Sequence, residues 1–215
     1  MSPAEFIRAN TELLSPPLVP EVELHLATEI VPLWRKSEEE LAAMGVPPPY
    51  WAFAWAGGQA LARYILDNPA IVAGRTVLDF GAGSGLVGIA AAKAGAARVI
   101  ASDIDMFAAA AVALNAVANA VHIDAVCDDI IGRELAAGVI LCGDMCYERP
   151  LAERLLAWLR ERKHAGADVL LGDPGRSYFP KSGMERLALY RVQTTRDLED
   201  REIRETGVYR LVNIT

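Results

Sequence analysis

Residues 76–88 read Thr-Val-Leu-Asp-Phe-Gly-Ala-Gly-Ser-Gly-Leu-Val-Gly. The apolar run 77–80 predicts a short buried strand, and the apolar residues after the last turn glycine predict a helix. Between them, Gly81, Gly83 and Gly85 occupy alternate positions. Such a turn leaves room for a ligand against the backbone, and the N–H groups at the helix start face that ligand. The stretch therefore predicts the strand–turn–helix unit that opens a doubly wound α/β domain.

Two kinds of ligand fit this turn. Gly83, Gly85 and Gly88 match the G-x-G-x-x-G pattern of dinucleotide-binding turns. Asp79, Gly81, Gly83 and Gly85 instead match acid-x-G-x-G-x-G, the pattern expected for S-adenosylmethionine (AdoMet). The charge of Asp79 favours AdoMet, because a carboxylate at the strand end repels a pyrophosphate and attracts the ammonium group of the methionine part. A dinucleotide remains the alternative.

Composition limits the class of protein. The chain has 215 residues, of which 53% are hydrophobic, and this suits one domain with a large core. Its net charge is −7 and its arginines are scattered, so we expect no nucleic-acid partner. No stretch has the length and hydrophobicity to span a bilayer, and the N-terminus lacks the features of a signal peptide. We therefore expect a soluble cytoplasmic protein without membrane contact, with a monomer favoured.

The chain has three cysteines, Cys127, Cys142 and Cys146, which is too few for a disulfide framework. No further Cys or His lies near Cys142 and Cys146 in the sequence to complete a zinc site. We expect buried thiols and no metal.

Six further strands are predicted beyond the first. Four apolar runs alternate with helical patterns, and two strand-like runs close the chain; these runs are 97–102, 120–127, 138–143, 167–172, 187–195 and 204–212. The predicted helices are 57–67, 86–93, 106–120 and 150–163. This order predicts a Rossmann-like, doubly wound α/β sheet of seven strands that ends in an antiparallel hairpin. Residues 1–49 are interrupted by prolines and are predicted to be an N-terminal extension that packs on the domain 50–215.

Acidic residues follow the second and third strands. Asp103 lies 22 residues beyond Gly81, where an acid is placed to bind ribose hydroxyls, while Asp105 is placed to cap the next helix. Asp128 and Asp129 follow the third strand, and either can accept a hydrogen bond from an adenine amino group. We prefer Asp129, which leads directly into apolar residues.

The fourth strand leads into Asp144-Met145-Cys146-Tyr147. The carboxyl edge of an open α/β sheet is where ligands bind, so Asp144 and Tyr147 are candidates for the catalytic site. A helix cap and a packed tyrosine are the alternative. Ahead of the first domain helix, Trp55 is a candidate for the wall of the cofactor pocket, and core packing is its alternative.

The glycine turn, the alternating elements and the terminal hairpin together resemble the class I seven-β-strand methyltransferases, from about residue 46 to the end. Asp144 and Tyr147 resemble the Asp-x-x-Tyr/Phe motif of a group of protein lysine methyltransferases. The sequences Pro-Pro-Tyr-Trp-Ala-Phe-Ala-Trp at 48–55 and Gly-Asp-Pro-Gly-Arg at 172–176 further resemble the electron-transfer flavoprotein β-subunit lysine methyltransferases, of a bacterial type.

This resemblance implies methyl transfer from AdoMet to lysine ε-amines of the electron-transfer flavoprotein β-subunit. The cofactor-binding residues that it implies are Asp79, Gly81, Gly83 and Gly85 for the methionine part, Asp103 for the ribose, Asp129 for the adenine, and Trp55. It also implies that Asp144 and Tyr147 hold the target lysine. Another protein, a small amine, a dinucleotide oxidoreductase and a non-catalytic AdoMet-fold module remain as alternatives.

The predicted reaction needs a neutral amine, whereas a free lysine has a pKa near ~10.4. Burial beside a cationic sulfonium lowers this pKa, and a carboxylate raises it. Asp144 is therefore expected to bind and orient the lysine, and to take up its proton only through water. No metal is required.

Overall fold

A computed structural model of the protein describes residues 1–28, 48–194 and 203–213. Its helices are α1 (Pro3–Ala9), α2 (Ala56–Asp67), α3 (Leu86–Lys93), α4 (Met106–Ala118) and α5 (Arg149–His164). Its strands are β1 (Glu12–Leu14), β2 (Leu24–Leu26), β3 (Thr76–Phe80), β4 (Arg98–Asp103), β5 (Asp124–Cys127), β6 (Val139–Gly143), β7 (Asp168–Asp173), β8 (Met184–Gln193) and β9 (Ile203–Leu211). Two short 3₁₀ turns cover Tyr50–Ala52 and Pro69–Ile71.

One sheet of seven strands has the order β5-β4-β3-β6-β7-β9-β8. The pairs from β5 to β7 are parallel, and β9 runs antiparallel to both β7 and β8. The order reverses at β3, so the carboxyl ends of β3, β4 and β6 open a crevice at that point. The predicted doubly wound sheet with a terminal antiparallel hairpin is confirmed.

Helices cover both faces of the sheet, as the alternation of strand side chains requires. In β3, Val77 packs with residues of α2, α3 and α4, whereas its neighbour Leu78 packs with residues of α5. Leu141 and Ile140 of β6 divide between the two faces in the same way. The central strands are therefore buried on both sides, which explains why their sequences are almost wholly apolar.

The third predicted strand is shorter than its apolar run suggested. The run 120–127 becomes a strand only over Asp124–Cys127. Its first residue, Ala120, has a φ of 53° and lies in the left-handed region just after α4. The beginning of the run therefore serves to end the helix, and hydrophobicity alone could not distinguish that role from a strand.

Residues 1–28 lie against the α4 side of the sheet. Helix α1 begins with a capping box in which Ser2 and Glu5 exchange hydrogen bonds of 2.7 and 3.3 Å. Phe6 meets Phe107 of α4 edge-on, with ring centroids 5.4 Å apart. The buried side chain of Asn115 accepts a hydrogen bond from the backbone N–H of His25 at 2.8 Å. This part of the chain thus shares a core with α4.

The first turn of α2 lies directly on the ends of β6 and β7. A Cβ added at Gly57 would overlap the carbonyl oxygen of Gly172, and one added at Gly172 would overlap the carbonyl oxygen of Gly57. A Cβ at Gly143 would lie 2.9 Å from the Cα of Gly58. Backbone therefore meets backbone here, and the approach depends on the lack of side chains.

Because of this contact, we expect alanine substitutions at two adjacent glycines to differ in their effect on stability. We expect Gly57→Ala to lower the free energy of unfolding by about 1–3 kcal/mol, because the added methyl group forces α2 away from β7. Gly58→Ala is the matched control, since its Cβ would have no neighbour closer than 3.9 Å. Urea unfolding monitored by circular dichroism measures both variants. Equal stability of the two variants would contradict the proposed constraint.

Candidate active site

A cavity of about 480 Å³ opens at the carboxyl ends of β3, β4, β5 and β6. Its size is in the range of small-molecule and cofactor sites. The glycine turn after β3 forms its floor, and aspartates after β4, β5 and β6 line its sides. Residues just before α2 and a residue after β7 complete the wall. The cavity therefore lies at the reversal of strand order, where ligands of doubly wound sheets bind.

Two of the three predicted turn glycines reach the cavity. Gly81 and Gly83 line it, whereas Gly85 begins α3 and lies against Val112. Gly81 has a φ of 64°, and a Cβ there would overlap the side chain of Met145. The turn therefore packs closely against the loop after β6, and a side chain at Gly81 would collide with Met145 of that loop.

Asp79 lies behind the turn. It is 1% exposed, and its Oδ2 accepts a hydrogen bond from the N–H of Gly88 at 2.8 Å. Burial raises the pKa of Asp79 to about 8, and the nearby charge of Asp103 also raises it. Asp79 is not among the residues that line the cavity. The carboxyl group of Asp79 thus fixes α3 on β3, and its expected attraction of the methionine ammonium stays a prediction.

Asp103 joins the turn to the loop after β4. Its Oδ2 accepts a hydrogen bond from the N–H of Gly83 at 2.9 Å, and its Oδ1 accepts one from the N–H of Asp105 at 3.1 Å. Asp103 also lines the cavity. Asp105 caps α4 by accepting a hydrogen bond from Phe107 N–H at 2.8 Å. Asp105 is therefore the helix cap, as expected, and ribose binding by Asp103 stays a prediction.

Asp128 and Asp129 both line the cavity, and each is paired with an arginine. Asp129 accepts a hydrogen bond from Arg154 at 2.8 Å, and that bond lowers the pKa of the Asp129 carboxyl group. Asp128 forms an ion pair of 2.7 Å with Arg133. A contact between Asp129 and adenine stays a prediction, and these arginine partners were not visible from the sequence.

Aromatic side chains form the wall beside α2. Trp55 lines the cavity, and its Nε1 donates a hydrogen bond to the carbonyl oxygen of Tyr50 at 2.9 Å. The ring of Tyr50 lies between those of Trp55 and Tyr147, at centroid distances of 6.0 and 5.9 Å. Trp51 also borders the cavity but is buried, with its ring stacked on Phe107. Trp51 is therefore a core residue, and Trp55 is a wall residue.

Asp144 is surrounded by hydrogen-bond donors. Its Oδ2 accepts hydrogen bonds from the N–H groups of Gly57, at very short range, and Gly58, at 3.2 Å. Its Oδ1 accepts bonds from Nε and Nη2 of Arg176 at 3.0 and 2.7 Å. The residue has a φ of 58° and is 7% exposed. Asp144 therefore caps α2 from a distant part of the chain, a role that the sequence offered only as an alternative.

Arg176 is a further cavity residue that was not predicted from the sequence. Its Cζ lies 5.7 Å from the ring centroid of Trp55, and it lines the cavity. Its backbone is fixed because Oδ1 of Asp173 accepts hydrogen bonds of 2.7 Å from the N–H groups of both Gly175 and Arg176. The segment 172–176 was noted only for its resemblance, although its place after the fifth predicted strand was a usable signal.

Tyr147 lies at the mouth of the cavity, with 40% of its surface exposed. Desolvation raises the pKa of its phenol to about 12, and the charge of Glu148 adds to the effect. The phenol therefore keeps its proton at neutral pH. Its hydroxyl group can donate or accept a hydrogen bond without adding charge to the site.

The cavity suits AdoMet. The narrow turn at Gly81 and Gly83 leaves room for a ligand on the backbone, and Asp103 is an acceptor at the strand end next to it. Carboxylates after β5 and the aromatic wall also line the cavity. The cavity thus offers acceptors for hydroxyl and amino groups together with an apolar surface for the rest of the ligand.

Comparisons with known proteins agree with this assignment. A family model for ribosomal protein L11 methyltransferase (PrmA) matches residues 59–143. A Xenopus laevis protein named electron transfer flavoprotein beta subunit lysine methyltransferase is 46% identical over 181 residues, which are 82% of this chain and 72% of that protein. The Danio rerio protein of the same name is 40% identical over 213 residues, which are 95% of this chain and 81% of that protein.

Solved structures are similar at the level of the fold. The magnesium protoporphyrin IX methyltransferase ChlM from Synechocystis PCC 6803 with bound SAH gives a TM-score of 0.54 at 16% identity, covering 73% of this chain and 81% of that chain. The ribosomal protein L11 methylase of Lactobacillus delbrueckii subsp. bulgaricus gives 0.52 at 21% identity, covering 75% and 81%.

The sheet order, the cavity and these similarities define a class I methyltransferase that uses AdoMet as its methyl donor. Because relatives at 40–46% identity match over most of both chains, the protein belongs to the electron transfer flavoprotein β-subunit lysine methyltransferase family. This membership confirms the resemblance stated from the sequence and excludes the dinucleotide oxidoreductase.

The first prediction from this site concerns Asp103. We expect Asp103→Ala to weaken AdoMet binding by about 10–100-fold with the fold intact, because hydrogen bonds to a charged acceptor contribute about 1.5–3 kcal/mol. Isothermal titration calorimetry measures the affinity. Asp124→Ala is the control, since Asp124 pairs with Arg98 on the next strand and does not line the cavity. Unchanged affinity in Asp103→Ala would remove Asp103 from the cofactor site.

The pKa of Asp79 rises from 3.8 to about 8 on folding, so the folded protein keeps a proton there that the unfolded chain releases. Its contribution to the free energy of unfolding therefore falls as pH rises between these values and is constant above the folded-state pKa. We expect Asp79→Asn to remove this decline in urea unfolding measured across that range. An unchanged pH dependence would mean that Asp79 is ionised in the folded protein.

Proposed function

We propose that the protein transfers methyl groups from AdoMet to lysine ε-amines of the electron transfer flavoprotein β-subunit. The observation that carries the proposal is the 46% identity to a relative of that name over 82% of this chain. The position of Asp144 and Tyr147 at one cavity supports it, because both residues were expected to hold the target lysine. Another protein or a small amine is the alternative substrate.

The proposed cofactor half lies on the β3–β5 side of the cavity. AdoMet, when bound, supplies a methyl group on a cationic sulfur. We assign Gly81 and Gly83 to the methionine part, Asp103 to the ribose hydroxyls and Asp129 to the adenine amino group. Trp55 is assigned to packing on the cofactor, which its place in the cavity wall supports. Gly85 and Asp79 are assigned to the shape of the turn, since neither lines the cavity.

The proposed lysine half lies between Asp144, Tyr147 and the aromatic wall. The chain must hold the amine with its lone pair toward the methyl group, which is a proximity effect. The phenol of Tyr147 remains neutral, so its oxygen can accept an N–H bond from the amine without favouring the ammonium form. The rings of Tyr50 and Trp55 flank this position.

We propose the cytoplasm as the compartment, which three free thiols support, because disulfides are rare there. No helix in the described part of the chain has the length and hydrophobicity to cross a membrane. The net charge of −7 supports a protein partner rather than a nucleic acid. We also propose that residues 1–49 form an extension of the domain 50–215, which the contacts of residues 1–28 with α4 support.

The test of this function is a methylation assay read by mass spectrometry. Recombinant enzyme, AdoMet and recombinant electron transfer flavoprotein are mixed, and the mass of the β-subunit is followed. We expect gains of one to three methyl groups on its lysines and loss of most transfer in Asp144→Asn. No gain, with AdoMet still bound by the enzyme in calorimetry, would discard this substrate and keep the methyltransferase class.

Two tyrosine variants distinguish an effect on the reaction from a general effect on the protein. We expect Tyr147→Phe to reduce the single-turnover rate by about 10-fold, the amount that one lost hydrogen bond to the reacting group gives. Tyr178→Phe is the matched control, because Tyr178 is exposed to a similar degree and does not line the cavity. Equal rates in the two variants would remove the Tyr147 hydroxyl group from the reaction.

A further inference from the structure

The carboxylate expected to receive the target lysine already has a cationic partner. Arg176 donates two hydrogen bonds to Oδ1 of Asp144, and the N-terminal N–H groups of α2 occupy Oδ2. The negative charge of Asp144 is therefore balanced by a full positive charge and by the positive end of a helix dipole. This arrangement differs from the exposed carboxylate that would attract an ammonium group.

Several contacts hold Arg176 at this position. Its backbone N–H is fixed by Asp173, which is 1% exposed at the end of β7. Its guanidinium group lies over the ring of Trp55, and its side chain is only 19% exposed. An arginine held by a carboxylate, an aromatic face and a fixed backbone loses little conformational freedom in keeping its place.

We propose that Arg176 is a positioning residue that remains paired with Asp144 while the target lysine is bound, so that the site accepts the amine in its neutral form. The inference rests on the proposed function and deepens it. A lysine entering the site releases its proton to solvent, because the paired carboxylate offers little stabilisation to an ammonium ion. Tyr147, which is neutral, and the rings of Tyr50 and Trp55 then surround an uncharged nucleophile.

Other ionisable groups face the same space and have to be considered. Those that line the cavity are Tyr50 before α2, Asp103 at the end of β4, Asp105 after it, Asp128 and Asp129 after β5, Tyr147 after β6, and Arg154 of α5. Cys146 and Glu148 after β6 and Asp173 at the end of β7 are close enough to contribute to the electrostatics. Burial raises the pKa of Cys146 and of Tyr147 to about 12, so neither group titrates near neutral pH. Asp79, with its pKa raised to about 8, does titrate nearby, but it is the same in every variant compared below.

The test compares the pH dependence of methyl transfer among variants at position 176. Single-turnover rates are measured on recombinant electron transfer flavoprotein, with enzyme in excess and AdoMet saturating, across neutral and alkaline pH. We expect Arg176→Gln to move the acidic limb of the rate profile upward by about one pH unit, because a carboxylate that has lost its guanidinium partner raises the pKa of the bound amine. The rate should approach that of the natural protein at high pH.

Two controls connect this shift to charge. Arg176→Lys keeps the positive charge and should leave the acidic limb in place while lowering the rate, since the two-bond geometry is lost. The double variant Asp144→Asn with Arg176→Gln removes both charges; its transfer is slow, as in Asp144→Asn alone, but the residual rate should show the limb at its original position. Titration of Arg176→Gln with AdoMet by calorimetry confirms that the variant is folded.

Three results would overturn the inference. An unmoved limb with a lower KM in Arg176→Gln would mean that the lysine displaces Arg176 on binding. An equal loss of rate at every pH would mean that Arg176 only supports the fold. Failure of the unmodified enzyme to methylate the β-subunit while binding AdoMet would instead contradict the proposed function, and the inference about this lysine would be withdrawn with it.

Discussion

The contact between the start of α2 and the end of β6 determines the geometry of the whole site. Asp144 accepts hydrogen bonds from the first N–H groups of α2, and this is possible only because Gly57 and Gly172 let two backbones touch. The helix start fixes Trp55, and the same carboxylate fixes Arg176. The buried carboxylate of Asp144 thus connects three segments that are far apart in the sequence. The position of the aromatic wall depends on this connection.

The cofactor side depends on shorter-range connections. Asp103 ties the glycine turn to the loop after β4, and Asp79 ties the helix after the turn to β3. The strand, turn and helix that these links join were predictable, because a glycine turn between a strand and a helix is a local signal, but the links themselves were not. The alternation of strands and helices, the terminal hairpin and the acid 22 residues beyond Gly81 were read from periodicity and spacing. These features are encoded within segments of a few tens of residues.

The lysine side could not be predicted to the same depth. The partners of Asp144 lie 87 and 32 residues away, and no periodicity connects them. For the same reason the burial of Asp79 was missed, since the same carboxyl group at a strand end can face the ligand or the helix behind the turn. The only sequence feature that pointed to Arg176 as a site residue was its position after β7. Sequence patterns located the acids, but only the tertiary contacts showed which charges were already paired.

The side chain of Asn115 connects the N-terminal residues to the glycine turn. Its amide accepts a hydrogen bond from His25 on one side and donates one to the carbonyl oxygen of Ser84, within the glycine turn, on the other. The side chain is fully buried, so neither bond can be exchanged for water without opening the core. Strand β2 is therefore linked to the glycine turn through one buried side chain of α4, so the same polar contact supports the N-terminal residues and the turn.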